Sequence, residues 1–353
     1  MISIPIVEAS QVAQARRAAT ELARNLGFTE TEEGKVALLA TEVATNLTKH
    51  ATGGQLLVDS FSEAGVNTIE ILALDKGPGM ENVSRCIQDG YSTTGSPGTG
   101  LGAILRLSSL SDIYSVPGVG TALLARIQSS VQSSRRQPQN QENMNAAPRT
   151  QRAECRALEC GVVCLPKPGE EVCGDAWAVD QRPNRCLTLV ADGLGHGPSA
   201  AVAAREAVHL FRKHVVQTPA AIMTAAHAAL RATRGAALAI SEIDQTKQQV
   251  RFCGVGNIAG HVLTATGNRG LASHNGVVGH EIRKIQEFTY PWTDEALLVL
   301  HSDGLASRWS LDAYPGLVGR HVSVIAGVLY RDFSRGRDDV TVMVVREAPG
   351  SRD

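Results

Sequence analysis

The segment Gln128 to Arg152 reads QSSVQSSRRQPQNQENMNAAPRTQR. It has no aromatic residue and a single branched apolar side chain, Val131. Such a stretch cannot bury enough apolar surface to offset the entropy of ordering it. Any hydrophobic core must therefore form to one side of it or the other. Charge changes at the same place: residues 1–127 carry a net −4, the segment +3, and residues 153–353 none. Each flank is long enough to bury a core of its own. The expected organisation is a domain over 1–127, a polar linker over 128–152 and a second domain over 153–353.

Composition removes several classes of function. Aromatic residues make up 4% of the chain and the net charge is −1. Stacking on bases and attraction to phosphate backbones are therefore poor candidates, and no nucleic-acid partner is expected. No run of apolar residues reaches the ~18 that a spanning helix needs, so no membrane partner is expected either. The Ala-rich run Pro219 to Ile240 is interrupted by His227, Arg231 and Arg234 and reads as a soluble helix. Met1 to Ser10 lacks the basic and apolar regions of a signal peptide. With seven cysteines, an odd number, this predicts a reducing, cytoplasmic setting. Cys155, Cys160, Cys164 and Cys173 are candidates for zinc, but they contain no Cys-x-x-Cys pair. Buried structural thiols are the better reading.

In the first half, Ser10 to Leu26 has a helical pattern ended by Gly27. Thr29 and Glu32 form a capping-box signature, and Val36, Leu39, Val43 and Leu47 make the apolar stripe of a second helix. Gln55 to Phe61 and Thr68 to Leu74 read as paired strands, and Asp75 ends the second. Glu42 and Asn46 lie four apart and share a helix face. A carboxylate and an amide projecting together suit a magnesium nucleotide, although a solvated helix face has the same spacing. Gly77 and Gly79 let the chain bend closely around a ligand. Gly98, Gly100 and Gly102 precede a helical stretch, Ala103 to Leu110, whose N-terminus would present N–H groups to phosphate.

Taken in order, Glu42…Asn46, Asp75-x-Gly77-x-Gly79, Gly98-x-Gly100-x-Gly102 and Gly120-Thr121 resemble the GHKL ATP-binding family. The stretch DKGPGMENVSRCIQDGYSTTGSPGTGLGAILRLSS resembles its RsbT-like switch kinases of stressosome systems. The resemblance implies an α/β sandwich that binds ATP and Mg²⁺. It makes Asp75 the reader of the adenine amine, Asn46 the Mg²⁺ ligand and Glu42 the catalytic base. Gly77, Gly79, Gly98, Gly100, Gly102 and Thr121 would complete the ATP site, and residues 80–97 would form a short lid. Anti-sigma kinases share these motifs, which leaves a sigma factor open as a partner. No phosphoacceptor histidine motif is present.

The second half is strand-rich. Leu158 to Cys164 and Cys173 to Val179 flank Pro166-Lys167-Pro168-Gly169 and read as a hairpin. Leu187 to Ala191 ends at Asp192, before a glycine-rich turn and the helix Ser199 to His214. Leu297 to His301 leads into Ser302-Asp303-Gly304, and Asp338 precedes the strand Val340 to Val345. Aspartates thus recur at strand ends, and strand ends of one sheet can meet at one edge. Gathered carboxylates repel each other, and hard divalent cations relieve that repulsion. Two ions about 3.5–4 Å apart can activate a water for attack on phosphorus.

CGDAWAV, VADGLGHGPSA, CGVGNI, HSDGL and RDDVTVMVV resemble the SpoIIE and RsbX-like branch of metal-dependent protein phosphatases. The resemblance implies a phosphatase-type β-sandwich flanked by helices, making the whole chain a two-domain α+β protein. It implies two Mn²⁺ or Mg²⁺ ions on Asp175, Asp192, Asp303 and Asp338, with the Gly193 carbonyl as a further ligand. Asp339 could substitute or assist. His196 reads as a loop stabiliser ahead of a general acid, and Gly254 to Asn257 as a tight turn ahead of a ligand site. Together the resemblances imply a bifunctional regulator that phosphorylates Ser or Thr on a STAS-domain protein and dephosphorylates the same or a related one. The alternative is an anti-sigma module that sequesters a sigma factor, with a phosphatase acting on its phosphorylated antagonist. Oligomeric state has no signature in the sequence.

Overall fold

The computed structural model describes residues 1–51, 53–63, 65–87, 100–130 and 157–348. The chain divides into two units, Met1–Cys155 and Arg156–Asp353.

The first unit opens with strand β1 (Ile2–Ile6) and helices α1 (Ala9–Asn25) and α2 (Glu30–His50). The reciprocal cap of α2 forms as the sequence predicts: the Glu32 N–H reaches Thr29 Oγ1, and the Thr29 N–H reaches Glu32 Oε2. Val36, Leu39, Val43 and Leu47 are all buried. Strands β2 (Gly54–Glu63) and β3 (Val66–Asp75), helices α3 (Val83–Ile87) and α4 (Gly100–Leu107), and strands β4 (Leu110–Val116) and β5 (Gly120–Gln128) follow. The sheet order is β1-β2-β3-β5-β4, antiparallel throughout. Alternate residues of the strands, among them Leu56, Val58, Ile69, Ile71 and Leu123, share one core with the two long helices. The result is an α/β sandwich.

Two boundaries move. Leu110, expected in the helix of residues 103–110, instead opens β4, because the Ser109 N–H has already turned to the Arg126 carbonyl of β5. β5 runs through Gln128, the Ser129 N–H donates to the Asn67 carbonyl, and the Ser130 N–H to Glu32 Oε1. The first three residues of the polar segment are therefore tied to the sheet and to α2.

The second unit contains β6 (Leu158–Leu165), β7 (Asp175–Arg182), β8 (Arg185–Gly193), α5 (Pro198–Lys213), α6 (Pro219–Ala229), β9 (Ala236–Asp244), β10 (Gln249–Val255), β11 (Ala259–Thr264) and β12 (Gly267–Leu271). The short strands β13 (Ser273–His274), β14 (Gly276–Val277), β15 (Glu281–Ile282) and β16 (Phe288–Pro291) follow, then β17 (Leu297–His301), α7 (Val322–Phe333) and β18 (Val340–Glu347). One sheet runs β13-β10-β9-β8-β7, with β16 added on β10, and the other β12-β11-β17-β18-β6. Val190, Ala239 and Phe252 of the first share a core with Leu298, Leu300 and Met343 of the second. Helices α5 and α6 cover the opposite face of the first sheet, and α7 lies on β6 and β18. This is a β-sandwich flanked by helices.

Here two expectations are corrected. β6 and β7 do not form a hairpin: β6 pairs with β18, and β7 pairs with β8 across the turn Pro183-Asn184. The Pro-Lys-Pro-Gly stretch instead crosses between the sheets. The Ala-rich run is not one helix: α6 stops at Ala229, Gly235 takes a left-handed φ of +77°, and Ala236 to Ile240 pair with β8 as part of β9. Alanine tolerates either backbone, so long-range pairing decides.

Candidate active sites

In the first unit, Glu42 and Asn46 project from α2 toward the start of α4. A Cβ placed on Gly100 would lie 3.2 Å from Asn46 Oδ1 and 3.4 Å from Glu42 Oε2. A larger residue there would press on both side chains. Asp75 ends β3 opposite Thr121 of β5. Its Oδ1 accepts the Gly77 N–H at 2.7 Å, and Thr121 Oγ1 is 2.9 Å from Ser115 Oγ. Gly79 has a φ of +69°, and any Cβ on it would meet the Val116 carbonyl. These groups surround a cavity of about 350 Å³ lined by Asn46, Asp75, Gly79, Gly100, Thr121 and the apolar Val43, Leu47 and Leu123. A cavity of this kind, apolar with a few fixed polar groups, suits a small organic ligand.

Asn46 Nδ2 is buried and has no hydrogen-bond partner among the described residues. A buried amide without a partner is costly, and a bound polar group would relieve that cost. The residues therefore fit a nucleotide. Glu42 does not line the cavity itself but stands at its α4 edge. Gly102 is buried one step into α4, and Gly98 lies outside the described residues, as do positions 88–97 of the expected lid. Met80 and Arg85, within the stretch expected to form the lid, also line the wall, as does His50 in the last turn of α2, to which the sequence reading gave no role.

In the second unit the aspartates come together from four strand ends. Asp175 opens β7 and stands directly across from Asp192 of β8. Asp303 follows β17, and Asp338 and Asp339 precede β18, the antiparallel neighbour of β17. Burial, and then the negative charges of Asp175, Asp303, Asp338 and Asp339, push the Asp192 carboxyl well above the usual range. Asp175 is pushed up too, by burial first and against the hydroxyls of Ser302 and Thr341, with Asp339 and Asp303 adding to the rise. The five carboxylates share one field.

Four of the five carboxylates are held by hydrogen bonds. Ser302 Oγ and Thr341 Oγ1 donate to Asp175 Oδ2 at 2.7 and 2.9 Å. Asn257 Nδ2 donates to Asp303 Oδ2 at 2.7 Å. The Asp339 N–H donates to Asp338 Oδ1, and the Lys167 N–H to Asp339 Oδ1. Asp175 Oδ1 is buried without a partner among the described residues, and the Gly174 backbone adds a hydrogen bond to the Asp339 carboxylate. A Cβ on Gly174 would lie 2.5 Å from Asp339 Oδ2, and one on Gly193 would strike the Ala200 carbonyl of α5. Among the described residues, no three His, Cys, Asp or Glu side chains converge on one point. An all-oxygen donor set with an orphaned buried oxygen fits hard divalent cations.

Asn257 sits in the expected tight turn, where Gly256 has a φ of +98°, and adds a contact to Asp303 that the sequence reading did not assign. Ser302 and Thr341 were also missed, though each neighbours a motif aspartate. His196 Nδ1 pairs with Glu170 at 2.8 Å, bracing the loop after Gly193. Cys164 and Cys173 have sulfurs 3.8 Å apart, and Cys155 lies outside the described residues.

Comparison with known proteins places both halves. The histidine kinase-like ATPase domain model matches residues 7–141, and the stage II sporulation protein E (SpoIIE) model matches residues 182–347. The serine/threonine-protein kinase RsbT of Bacillus subtilis is 31% identical over 114 residues, 32% of this chain and 86% of RsbT. Through its first domain, the chain belongs to the RsbT family. Its second domain is a SpoIIE-type phosphatase domain, 25% identical to the B. subtilis phosphoserine phosphatase RsbX over 142 residues, 40% of this chain and 71% of RsbX. A structure of RsbX in complex with magnesium aligns with a TM-score of 0.50 at 22% identity, over 54% of this chain and 96% of that one. A chain from work on the bacterial stressosome aligns with a TM-score of 0.51 at 28% identity, over 54% of this chain and 99% of that one. No helix among the described residues is long and apolar enough to cross a membrane.

Proposed function

We propose that this RsbT-family chain is a bifunctional regulator of one phosphorylation cycle. Its first domain phosphorylates Ser or Thr on a STAS-domain protein, and its SpoIIE-type domain removes phosphate from the same or a related protein in a stressosome or partner-switching pathway. The observation that carries the reading is the strand-end pair Asp175 and Asp192: Asp192 lies in the field of Asp175, Asp303, Asp338 and Asp339, and the buried Oδ1 of Asp175 lacks a partner among the described residues.

In the first domain, Asp75 would accept the adenine amine, Asn46 would supply an oxygen to Mg²⁺ and Glu42 would orient the attacking hydroxyl. The N–H groups at Gly100 and Gly102 would face phosphate. In the second domain, Asp175, Asp192, Asp303 and Asp338, with the Gly193 carbonyl, would hold two Mn²⁺ or Mg²⁺ ions, which when bound supply Lewis acidity and a water of lowered pKa. The chain's own residues do the positioning. Ser302 and Thr341 fix one oxygen of Asp175 and turn the other inward. Asn257 orients Asp303, and the Lys167 N–H holds Asp339 beside Asp338, where it supports the same centre.

The test is incubation of the full chain with labelled ATP and candidate STAS proteins, with and without Mn²⁺. Transfer to a STAS protein, followed by Mn²⁺-dependent release of the label, is the expected result. Capture of a sigma factor with no transfer would favour the anti-sigma alternative.

A further inference from the structure

One edge of the acidic centre is strongly basic. Several arginines of this domain are neutralised: Arg185 and Arg251 by Glu242, Arg331 by Asp332, Arg346 by Glu159. Arg231, Arg234, Arg283 and Lys284 are exposed, and none of them has an ion pair or side-chain hydrogen bond among the described residues.

Backbone pairing sets their place. The Leu194 N–H donates to the Gly235 carbonyl at 3.0 Å, so Arg234 stands beside the loop that follows Asp192 and the end of β8. Its guanidinium lies over Gly195, 3.5 Å from where a Cβ would be. Ala236 bridges to Val278, and a Cβ on Gly235 would meet His280 Cδ2 at 2.7 Å. The β14–β15 hairpin thus brings the exposed His280 to the same edge, with Glu281 next to it and Arg283 and Lys284 directly after. Leu194, 52% exposed, lies along this edge.

We infer that this edge docks the protein substrate and selects a phosphorylated segment with acidic residues and an apolar residue beside the phosphorylated side chain. The inference rests on the phosphatase reading above. A phosphomonoester is itself an anion, and acidic residues flanking it are repelled by the carboxylates that two bound divalent cations do not fully neutralise. A basic edge offsets that repulsion and steers an acidic segment to the centre. Arginine's planar fork suits carboxylate flanks, and Leu194 offers them an apolar neighbour.

The experiment uses the full chain with Mn²⁺ and two phosphoserine peptides, one flanked by Glu and Leu, the other with each Glu replaced by Gln. The variants are Arg234→Glu/Arg283→Glu and its conservative counterpart Arg234→Lys/Arg283→Lys. Two reversed surface charges should raise KM for the acidic peptide about tenfold, leave kcat within about twofold and flatten the salt dependence. KM for the Gln peptide should move by less than about twofold, and the Lys variant should retain most of the preference. An equal change for both peptides, or none, overturns the inference. If the wild type hydrolyses neither peptide nor p-nitrophenyl phosphate, the phosphatase reading itself fails and takes this inference with it.

Discussion

Ser302 donates its hydroxyl to Asp175 Oδ2 at 2.7 Å, across 127 residues of chain. The same Oγ accepts the Thr341 N–H at 2.9 Å, and the Ser302 N–H returns to the Thr341 carbonyl. One buried serine therefore joins β17 to β18 and aims a carboxylate of β7. Ser302→Ala leaves a buried N–H and a buried carboxylate each short of a partner, at a cost of about 1–3 kcal/mol. It should also lower Mn²⁺ affinity about 10–100-fold, as loss of an orienting contact does. Thermal melts and calorimetric Mn²⁺ titration check both, and an unchanged titration would show that Ser302 only joins strands.

Removing a ligand should act differently from removing its support. Asp192→Ala or Asp303→Ala should reduce Mn²⁺-dependent phosphate release by more than about 100-fold, beyond the loss from an outer contact. Without metal, neither variant should melt below the wild type, because deleting one charge relieves the repulsion that raises the Asp192 carboxyl. Wild-type activity should stop with chelator. Full turnover in chelator, or in both variants, would sink the metal mechanism.

Much of both sites was legible because their residues sit at places that local patterns mark. Asn46 and Glu42 share a helix face by spacing alone, and Asp75, Asp192 and Asp303 stand where apolar strands meet glycine. What escaped depends on contacts between distant strands. Nothing near Pro166 says that β6 will pair with β18 instead of β7. Ala236 to Ile240 look helical until β8 claims them. Ser302, Thr341 and Asn257 matter only because three separate strand ends meet; Ser302 and Thr341 stand close to motif aspartates, a signal without a stated role, and Asn257 stands near none.

The nucleotide cavity separates binding from transfer. Asp75→Asn replaces an acceptor for the adenine amine with a mixed donor and acceptor, and should weaken ATP about 10–100-fold, the worth of one hydrogen bond to a charged group. Asn46→Ala should weaken Mg-ATP more than ATP without metal. Glu42→Ala should leave ATP affinity intact and slow transfer about 10²–10⁴-fold. Calorimetry and single-turnover labelling distinguish the three. Wild-type transfer by Glu42→Ala would make Glu42 a structural residue of the α2–α4 contact.

Glu32 links acid stability to the end of the first domain. Its Oε2 accepts the Thr29 N–H at 2.8 Å and its Oε1 the Ser130 N–H at 2.7 Å. Burial alone would raise its pKa. The N–H groups of Ser130 and Thr29, helped by their hydroxyls, outweigh that and bring it down to about 2 from 4.5. A carboxyl with a depressed folded pKa contributes stability that is complete above its unfolded value and lost as pH falls through the folded one. The contribution should therefore be constant above about pH 5 and disappear between there and about pH 2. Glu32→Gln keeps an acceptor for one N–H and turns an NH2 donor toward the other, and should cost about 1–3 kcal/mol at pH 7. The gap between wild type and Glu32→Gln in the first-domain melt should close across that same window. A gap that stays constant down to pH 2 would mean that the glutamate acts there by shape and not by charge.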